Sequence, residues 1–475
     1  MRILDEVKEW KLEAKFENSE RYFYHVGEVD NIARGSAAYV IGRKGTGKTA
    51  IGEYLLGLNR FDTFAEKATF KNFPFNDLYG FQNKAYTTPN QYITFWKYLI
   101  YSLVCKMMAR NEAVDAETRL VLEKIYSPAP LKALEKWITR WTASDFTISI
   151  LGNGGKVGLK EGSTSDQSWP QRVDVLEQVI SEHGAAAKYY VVFDELDEDY
   201  KNMTDKEHNQ KYIDLLTGLF KAVQDVKALF RNSAVQILPV VFLRDDIYSL
   251  IMDSDKTKWD DFKIELEWNR DRIKRLLAFR LTRAANEHAE KPLNFANAWC
   301  DAFANEEIVL GHKQHRRASI FDYISRNTQQ RPRDYIKYMQ VCASETPLTQ
   351  ARVRGSTVKR VSRAFSNHLK KELVDEIHGI IPEITAVLNV ISQNRKQIFS
   401  IQEFTREYEK QVAQGSIKEK DVTFVLNILF NFSVIGNQPN QKNITVFRYE
   451  NKDAQLNFRE LLVVHRGLFS ALQIL

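Results

Sequence analysis

The chain has no run of 18 consecutive apolar residues. Its richest window, Tyr98 to Met108, is interrupted by Ser102 and Lys106, so no membrane span is expected. The N-terminus, MRILDEVKEW, has no apolar segment followed by a small-residue cleavage site, and nothing in it marks the chain for export. Cysteine is scarce. Cys105, Cys300 and Cys342 lie far apart and match no metal-ligand or redox spacing, which leaves them as expected reduced core thiols of a cytoplasmic protein. A strong charge imbalance is also missing: 67 Lys and Arg against 61 Asp and Glu give a net charge of +6. The excess is uneven, however. Ala351 to Arg363 carries Arg352, Arg354, Lys359, Arg360 and Arg363 with no acid, and Arg270 to Arg283 is also basic. Such clusters either attract phosphate backbones or form solvated helix faces.

What is present suffices for two or three domains: 475 residues, 44% of them hydrophobic. Short apolar runs alternate with longer helical patterns, the mark of an α/β parallel sheet wrapped by helices. The expected strands are Ala37 to Ile41, Lys67 to Phe73, Tyr189 to Phe193, Val235 to Leu243 and Phe262 to Leu266. The segment Gln91 to Met108 is too apolar for a surface helix. Phe146 to Gly162, with an Asn-Gly-Gly turn, predicts a hairpin; Gly152, Gly154, Gly155 and Gly158 do not lead into a Lys-Ser/Thr helix start. Beyond residue 345, a helix from about Thr357 to His378 leads to a tail in which Ser400 and Glu403 form a capping box. A second, apolar helix follows in KEKDVTFVLNILFNF, and SVIGNQPNQKNITVFRY reads as two strands around a polar loop, giving an expected winged helix. The expected domains are residues 1–285, a core with an insertion at about 75–185; 286–350, a helical lid; and 351–475, a linker helix and winged helix.

The most specific stretch is YVIGRKGTGKTAIGEYLL, which satisfies G-x-x-x-x-G-K-[ST] between an apolar strand and an apolar helix. Gly42, Gly45 and Gly47 permit a loop that closes around an anion, with the amides of Gly42 through Ala50 and the positive helix end directed at phosphate. Lys48 is placed to neutralise the β and γ phosphates of ATP, Thr46 lies in the loop, and Thr49 is placed to ligate Mg²⁺. Arg43 and Lys44 either touch phosphate or face solvent.

A phosphate loop calls for an acidic partner at the end of another buried strand, and YYVVFDELDEDY supplies it. Asp194 is the candidate Mg²⁺ ligand through its water shell, and Glu195 the candidate base for the attacking water. Arg244, at the end of VVFLRDDIY, either senses the γ-phosphate or pairs with Asp245 or Asp246. In TQQRPRDYIKYM, Arg331 or Arg333 either reaches the nucleotide from a lid or faces solvent at a helix start.

In this order, RYFYHVGEVDNIARGSAAYVIGRKGTGKTAI, YVVFDELDEDY, ILPVVFLRDDIY, IELEWNRDRIKRLLAFRL and RPRDYIKYM resemble the additional-strand P-loop ATPases of the AAA+ and STAND group. Within that group they resemble bacterial ATPases similar to origin-recognition initiators. The resemblance implies a sheet in which the Asp194 and Arg244 strands flank the phosphate-loop strand, a lid bearing Arg331 and Arg333, and ATP-driven change of assembly state. It also brings a prior for antiphage or conflict systems. Two departures are plain: a large insertion separates Lys48 from Asp194, and no arginine finger for a neighbouring subunit can be named.

The leading expectation is therefore an ATPase switch using ATP and Mg²⁺, working as a homo-oligomer or on an effector protein. One alternative is a nucleotide-regulated DNA-binding protein using the basic linker and winged helix. Another is a scaffold for an effector whose interface is the insertion or the winged helix; Phe95, Trp96 and Tyr98 are candidates there, though core packing at helical spacing explains them better.

Overall fold

Five short runs rich in β-branched and aromatic residues pair into one parallel sheet: β1, Tyr39–Ile41; β2, Thr63–Thr69; β5, Ala187–Asp194; β6, Val235–Leu243; and β7, Lys263–Glu265. The computed structural model describes the chain except residues 1, 59, 71–78, 80–85, 89, 127–145, 152–155, 162–168, 201–205, 311–315, 440–443 and 475, with backbone only at 146–151 and 156–161. The turn glycines Gly152, Gly154 and Gly155 lie outside the described residues. On either side of them β3, Phe146–Leu151, and β4, Lys156–Glu161, pair antiparallel from Leu151 opposite Lys156, the register a hairpin requires.

The chain divides into two compact units. One comprises His25–Lys44 and Lys48–Leu266; the other comprises Met1–Tyr24, Gly45–Gly47 and Glu267–Leu475. The first holds the five-stranded sheet, in the order β2-β5-β6-β1-β7. This order corrects one expectation. β1 is flanked by β6 and β7, so the Arg244 strand is its neighbour, while the Asp194 strand stands one place further out, between β6 and β2. The physical reason is pairing length. Both long apolar strands match each other along most of their length, Ala187 opposite Val235 through Phe193 opposite Val241, whereas three-residue β1 covers only the end of β6.

Helices cover the sheet. The Lys48–Leu56 helix lies close enough for Gly52 that an added Cβ would meet the Phe242 ring at 3.2 Å and Val192 at 3.6 Å. The Ile93–Met108 helix is buried along most of its length; Trp96 donates to the Leu215 carbonyl at 2.8 Å and meets Phe70 and Phe193 edge-on. Phe95, Trp96 and Tyr98 are thus core residues. Cys105 on the same helix is fully buried, and burial pushes its thiol up.

The second unit is mainly helical, through Arg270–Ala285, Phe295–Ala302, Pro332–Ser344 and Gly355–Ile377. Sequence patterning alone does not place the N-terminal segment here. The cause is visible in Arg280, a buried cation held between the rings of Trp10 at 4.5 Å and Tyr22 at 4.7 Å and paired with Glu17. A small hairpin joins β8, Glu307–Leu310, to β9, Arg316–Ser319.

The tail runs as the Ile384–Asn394 helix, β10 at Ile398–Phe399, the Ile401–Ala413 and Val422–Asn431 helices, β11 at Ile435–Gln438 and β12 at Leu461–Val464. Ser400 and Glu403 form the expected reciprocal cap. The sheet order is β10-β12-β11, so the partner of β11 is Leu461–Val464; the expected second strand near Val446 contributes a single bridge to Asn437. Among the described residues, no helix is long and apolar enough to cross a membrane.

Candidate nucleotide site

The site follows from register. Ile41 sits opposite Leu243, so Gly42 and Arg244 leave the sheet at one level, and Thr69 sits opposite Asp194. Parallel strands therefore deliver the phosphate-loop start, Arg244, Thr69 and Asp194 to the same carboxyl-end edge, where open α/β sheets bind ligands.

From Gly42 the loop turns into the Lys48–Leu56 helix, as the strand-loop-helix motif requires. Gly42 donates to the Leu243 carbonyl at 3.2 Å, which seats the loop on β6. Gly45 and Gly47 have φ of +84° and +101°, and a Cβ at Gly47 would meet nothing within 4 Å, so that glycine answers a backbone need and borders open space. Thr46 is buried, while Arg43, Lys44, Thr49 and Ala50 are partly exposed. Within the unit that contains Gly45–Gly47, Trp268 Nε1 donates to the Thr46 carbonyl at 2.9 Å, and the Arg333 amide approaches the Gly45 carbonyl at 3.4 Å.

Lys48 Nζ is folded onto the loop, donating to the carbonyls of Gly42 at 2.6 Å and Arg43 at 3.0 Å. Desolvation lowers its ammonium pKa, opposed by the charges of Asp197, Asp245 and Asp194.

Asp194 is buried. Its Oδ1 accepts from the Glu195 amide at 3.0 Å, and its Oδ2 lies 2.9 Å from Lys67 Nζ, an ion-pair contact not aligned as a hydrogen bond. Glu195 adopts a left-handed backbone, φ 60° and ψ 32°, a conformation that costs a non-glycine residue about 1 kcal/mol and clusters at functional sites. Its Oε2 accepts from Thr69 Oγ1.

Arg244 is buried and grips Asp246 through Nε at 3.0 Å and Nη2 at 2.6 Å, with Asp197 3.5 Å from Nη1 and the Tyr200 ring 5.4 Å below. The salt bridge expected with Asp246 is present. Arg331 is enclosed by carboxylates of its own unit: Asp334 at 2.9 Å, Glu376 at 3.0 Å and Glu372 at 3.2 Å. Fully buried and committed there, its guanidinium stands as a structural ion cluster, not as a solvated helix start. Arg333 is more exposed and lies 3.5 Å from Glu372.

Three polar residues that sequence reasoning passed over join the expected ones: Glu53, Lys67 and Thr69. Their signal was faint. Lys67, partly exposed, and Thr69, exposed, alternate along an otherwise ordinary strand, and Glu53 falls one turn after Thr49 on the helix.

Among the described residues, no three His, Cys, Asp or Glu side chains gather as a metal cage. Mg²⁺ needs none, since it is held by one or two carboxylates together with substrate phosphates and water. A buried carboxylate with one oxygen outside any hydrogen bond, and a hydroxyl opening the loop helix, fit that ion.

Residues 271–374 match the family described as the FunZ-associated C-terminal helical domain, a span that runs from the Arg270–Ala285 helix into the Gly355–Ile377 helix. No curated protein matches the chain. Among solved structures, the Orc1 protein of Aeropyrum pernix in complex with DNA is similar at 12% identity and a TM-score of 0.41, covering 98% of this chain and 96% of that one. The Walker-type ATPase PABY2304 of Pyrococcus abyssi is similar at 11% identity and a TM-score of 0.39, covering 95% of each. Cdc6p of Pyrobaculum aerophilum gives 11% identity and a TM-score of 0.31 over 92% of this chain and 86% of that one.

Proposed function

We propose that the chain is an ATP-hydrolysing switch of the P-loop class. One observation carries the reading: the parallel register gathers the phosphate loop, Asp194, Glu195 and Arg244 at one edge of one sheet.

On this reading Lys48 exchanges its two carbonyl partners for phosphate oxygens, a trade of neutral for charge-assisted hydrogen bonds. Thr49 and Asp194 would hold Mg²⁺, which would supply charge neutralisation to the phosphates. Glu195, fixed at one oxygen by Thr69, keeps its other oxygen to orient water. Arg244 stands at the end of the neighbouring strand with its charge already balanced by Asp246, so sensing the γ-phosphate requires that it share this cation. Arg43, Lys44, Gly45, Thr46, Gly47 and Ala50 are the remaining residues of the phosphate loop on this reading. The output is a change of assembly state or of effector engagement. Binding of a fluorescent ATP analogue with and without Mg²⁺ tests the reading: it requires saturable binding that Lys48→Ala abolishes.

A second reading, a nucleotide-regulated DNA-binding protein, rests on the exposure of Arg352, Lys359, Arg360 and Arg363 along one acid-free stretch. The tail has the element order of a winged helix, but its Val422–Asn431 helix shows solvent Asp421 at its cap, Thr423 and Asn431, and no cation. Contact would therefore be with phosphates and not with base edges. A duplex-binding assay across salt concentrations tests it, with a steep loss of affinity expected as salt rises.

A further inference from the structure

Near its carboxyl end β2 carries a cation that the nucleotide reading does not use. Lys67 Nζ lies 2.9 Å from Asp194 Oδ2 and donates to Glu53 Oε1 at 3.1 Å. All three groups are largely buried, with side-chain exposures of 17% for Lys67, 6% for Asp194 and 24% for Glu53. Lys67 thus bridges the strand that ends in the candidate metal carboxylate and the helix that begins with Lys48 and Thr49. Glu53 is four residues beyond Thr49, on the same face of that helix.

We propose that Lys67 is a resident counter-cation of the metal carboxylate. It holds Asp194 in place before nucleotide arrives, and it lowers the affinity of the site for a divalent ion by occupying part of the carboxylate's charge. The proposal rests on the nucleotide-site reading above.

The geometry supports sharing over exclusion. Asp194 Oδ2 is contacted by Lys67 electrostatically without being saturated by an aligned hydrogen bond, so a lone pair stays free toward a second cation or its water. Oδ1 is fixed by the Glu195 amide, which keeps the carboxylate plane from rotating when the second cation binds. Two positive centres on one carboxylate repel, and at separations of several ångströms in a partly buried site that repulsion is large enough to matter by an order of magnitude in affinity. Its consequence is a site that binds the metal weakly alone and firmly only when phosphate charge accompanies it. A loop that would otherwise collect free divalent ions is kept selective for the metal–nucleotide complex.

The test uses the full chain and Mn²⁺ as the probe, with bound ion counted by electron paramagnetic resonance in the absence and presence of ADP. Wild type should bind Mn²⁺ weakly without ADP and much more tightly with it. Lys67→Met should bind Mn²⁺ without ADP about tenfold more tightly than wild type, narrowing the gap between the two conditions. Lys67→Gln should do the same and guards against a folding failure peculiar to Met. Lys67→Arg, keeping the charge, should match wild type. Unchanged or weaker Mn²⁺ binding by the two folded neutral variants would overturn the proposal while leaving the nucleotide reading intact. Absence of any ADP-dependent Mn²⁺ binding by wild type would overturn that reading and the proposal together.

Discussion

Arg331 offers a sharp discrimination between a residue that touches nucleotide and one that holds the protein together. Its guanidinium is fully buried and lies within about the same distance of three carboxylates, those of Asp334, Glu376 and Glu372, at 2.9, 3.0 and 3.2 Å. Replacing it with Met leaves a buried cluster of acids, with Arg333 3.5 Å and His368 3.8 Å from Glu372. Burial already raises the Glu372 carboxyl, with the charge of Arg331 as the main opposing influence. Breaking one buried ion pair costs about 3–5 kcal/mol, and the loss here is of a shared partner, so the upper part of that range applies. For a unit of this size that corresponds to a fall of roughly 10 °C or more in melting temperature. The expected result for Arg331→Met is therefore a large drop in Tm by calorimetry, with ATP affinity changed little at a temperature where the variant is folded. A variant that melts like wild type yet loses ATP binding would refute the assignment and restore Arg331 to the nucleotide.

Other expectations follow from single contacts. Gly47→Ala forces a Cβ onto a backbone at φ +101° with no protein atom in its way, so stability should fall by only about 1–2 kcal/mol, while nucleotide affinity falls at least tenfold because the Cβ enters the cradle. Equal affinity in the variant would show that the open space is not where phosphate binds. Arg244→Gln should leave ADP affinity near wild type and slow ATP turnover about tenfold or more, read as kcat against KM; a pure loss of Tm with normal turnover would leave the Asp246 salt bridge as its whole role. His368 is half-buried near Lys337, Arg331 and Arg333, and desolvation with those cations lowers its pKa to about 4. The unfolded chain therefore takes up a proton on this residue that the folded chain refuses, and stability falls as pH drops from about 6.5 toward 4. Denaturant melts of His368→Gln should show a flatter slope across that window, and an identical slope would remove His368 as its source.

The phosphate loop was legible because its chemistry is local: glycines, a lysine and a threonine must follow one another between a strand and a helix, and each neighbour in sequence is a neighbour in space. The five strands were legible as apolar runs for the same reason. Their order was not. Nothing within three-residue β1 says that its partners are β6 and β7, because pairing is decided by which long strands match each other. The second strand illustrates the same limit on register: alternation points to a start at Lys67, but pairing begins with Thr63 opposite Lys188 and runs to Thr69 opposite Asp194, while residues 71–73 of the expected span lie outside the described residues. Apart from Asp334, three residues from Arg331, the contacts that fix Arg331, Arg280 and Lys67 join residues tens to hundreds of positions apart, which no local pattern encodes. For Arg244 the competing partner was two residues away and could be named beforehand, though only the folded structure shows one guanidinium edge, Nε and Nη2, held by Asp246 while Nη1 faces Asp197.

The central claim is that Lys48 and Glu195 do different jobs in one ATP site. Single-turnover hydrolysis and equilibrium ATP binding, measured side by side on wild type, Lys48→Ala and Glu195→Gln, test it most directly. The account predicts that Lys48→Ala loses binding, and that Glu195→Gln binds ATP like wild type but hydrolyses it about a hundredfold or more slowly. Glu195→Gln turnover equal to wild type, with Lys48→Ala binding undiminished, would contradict it.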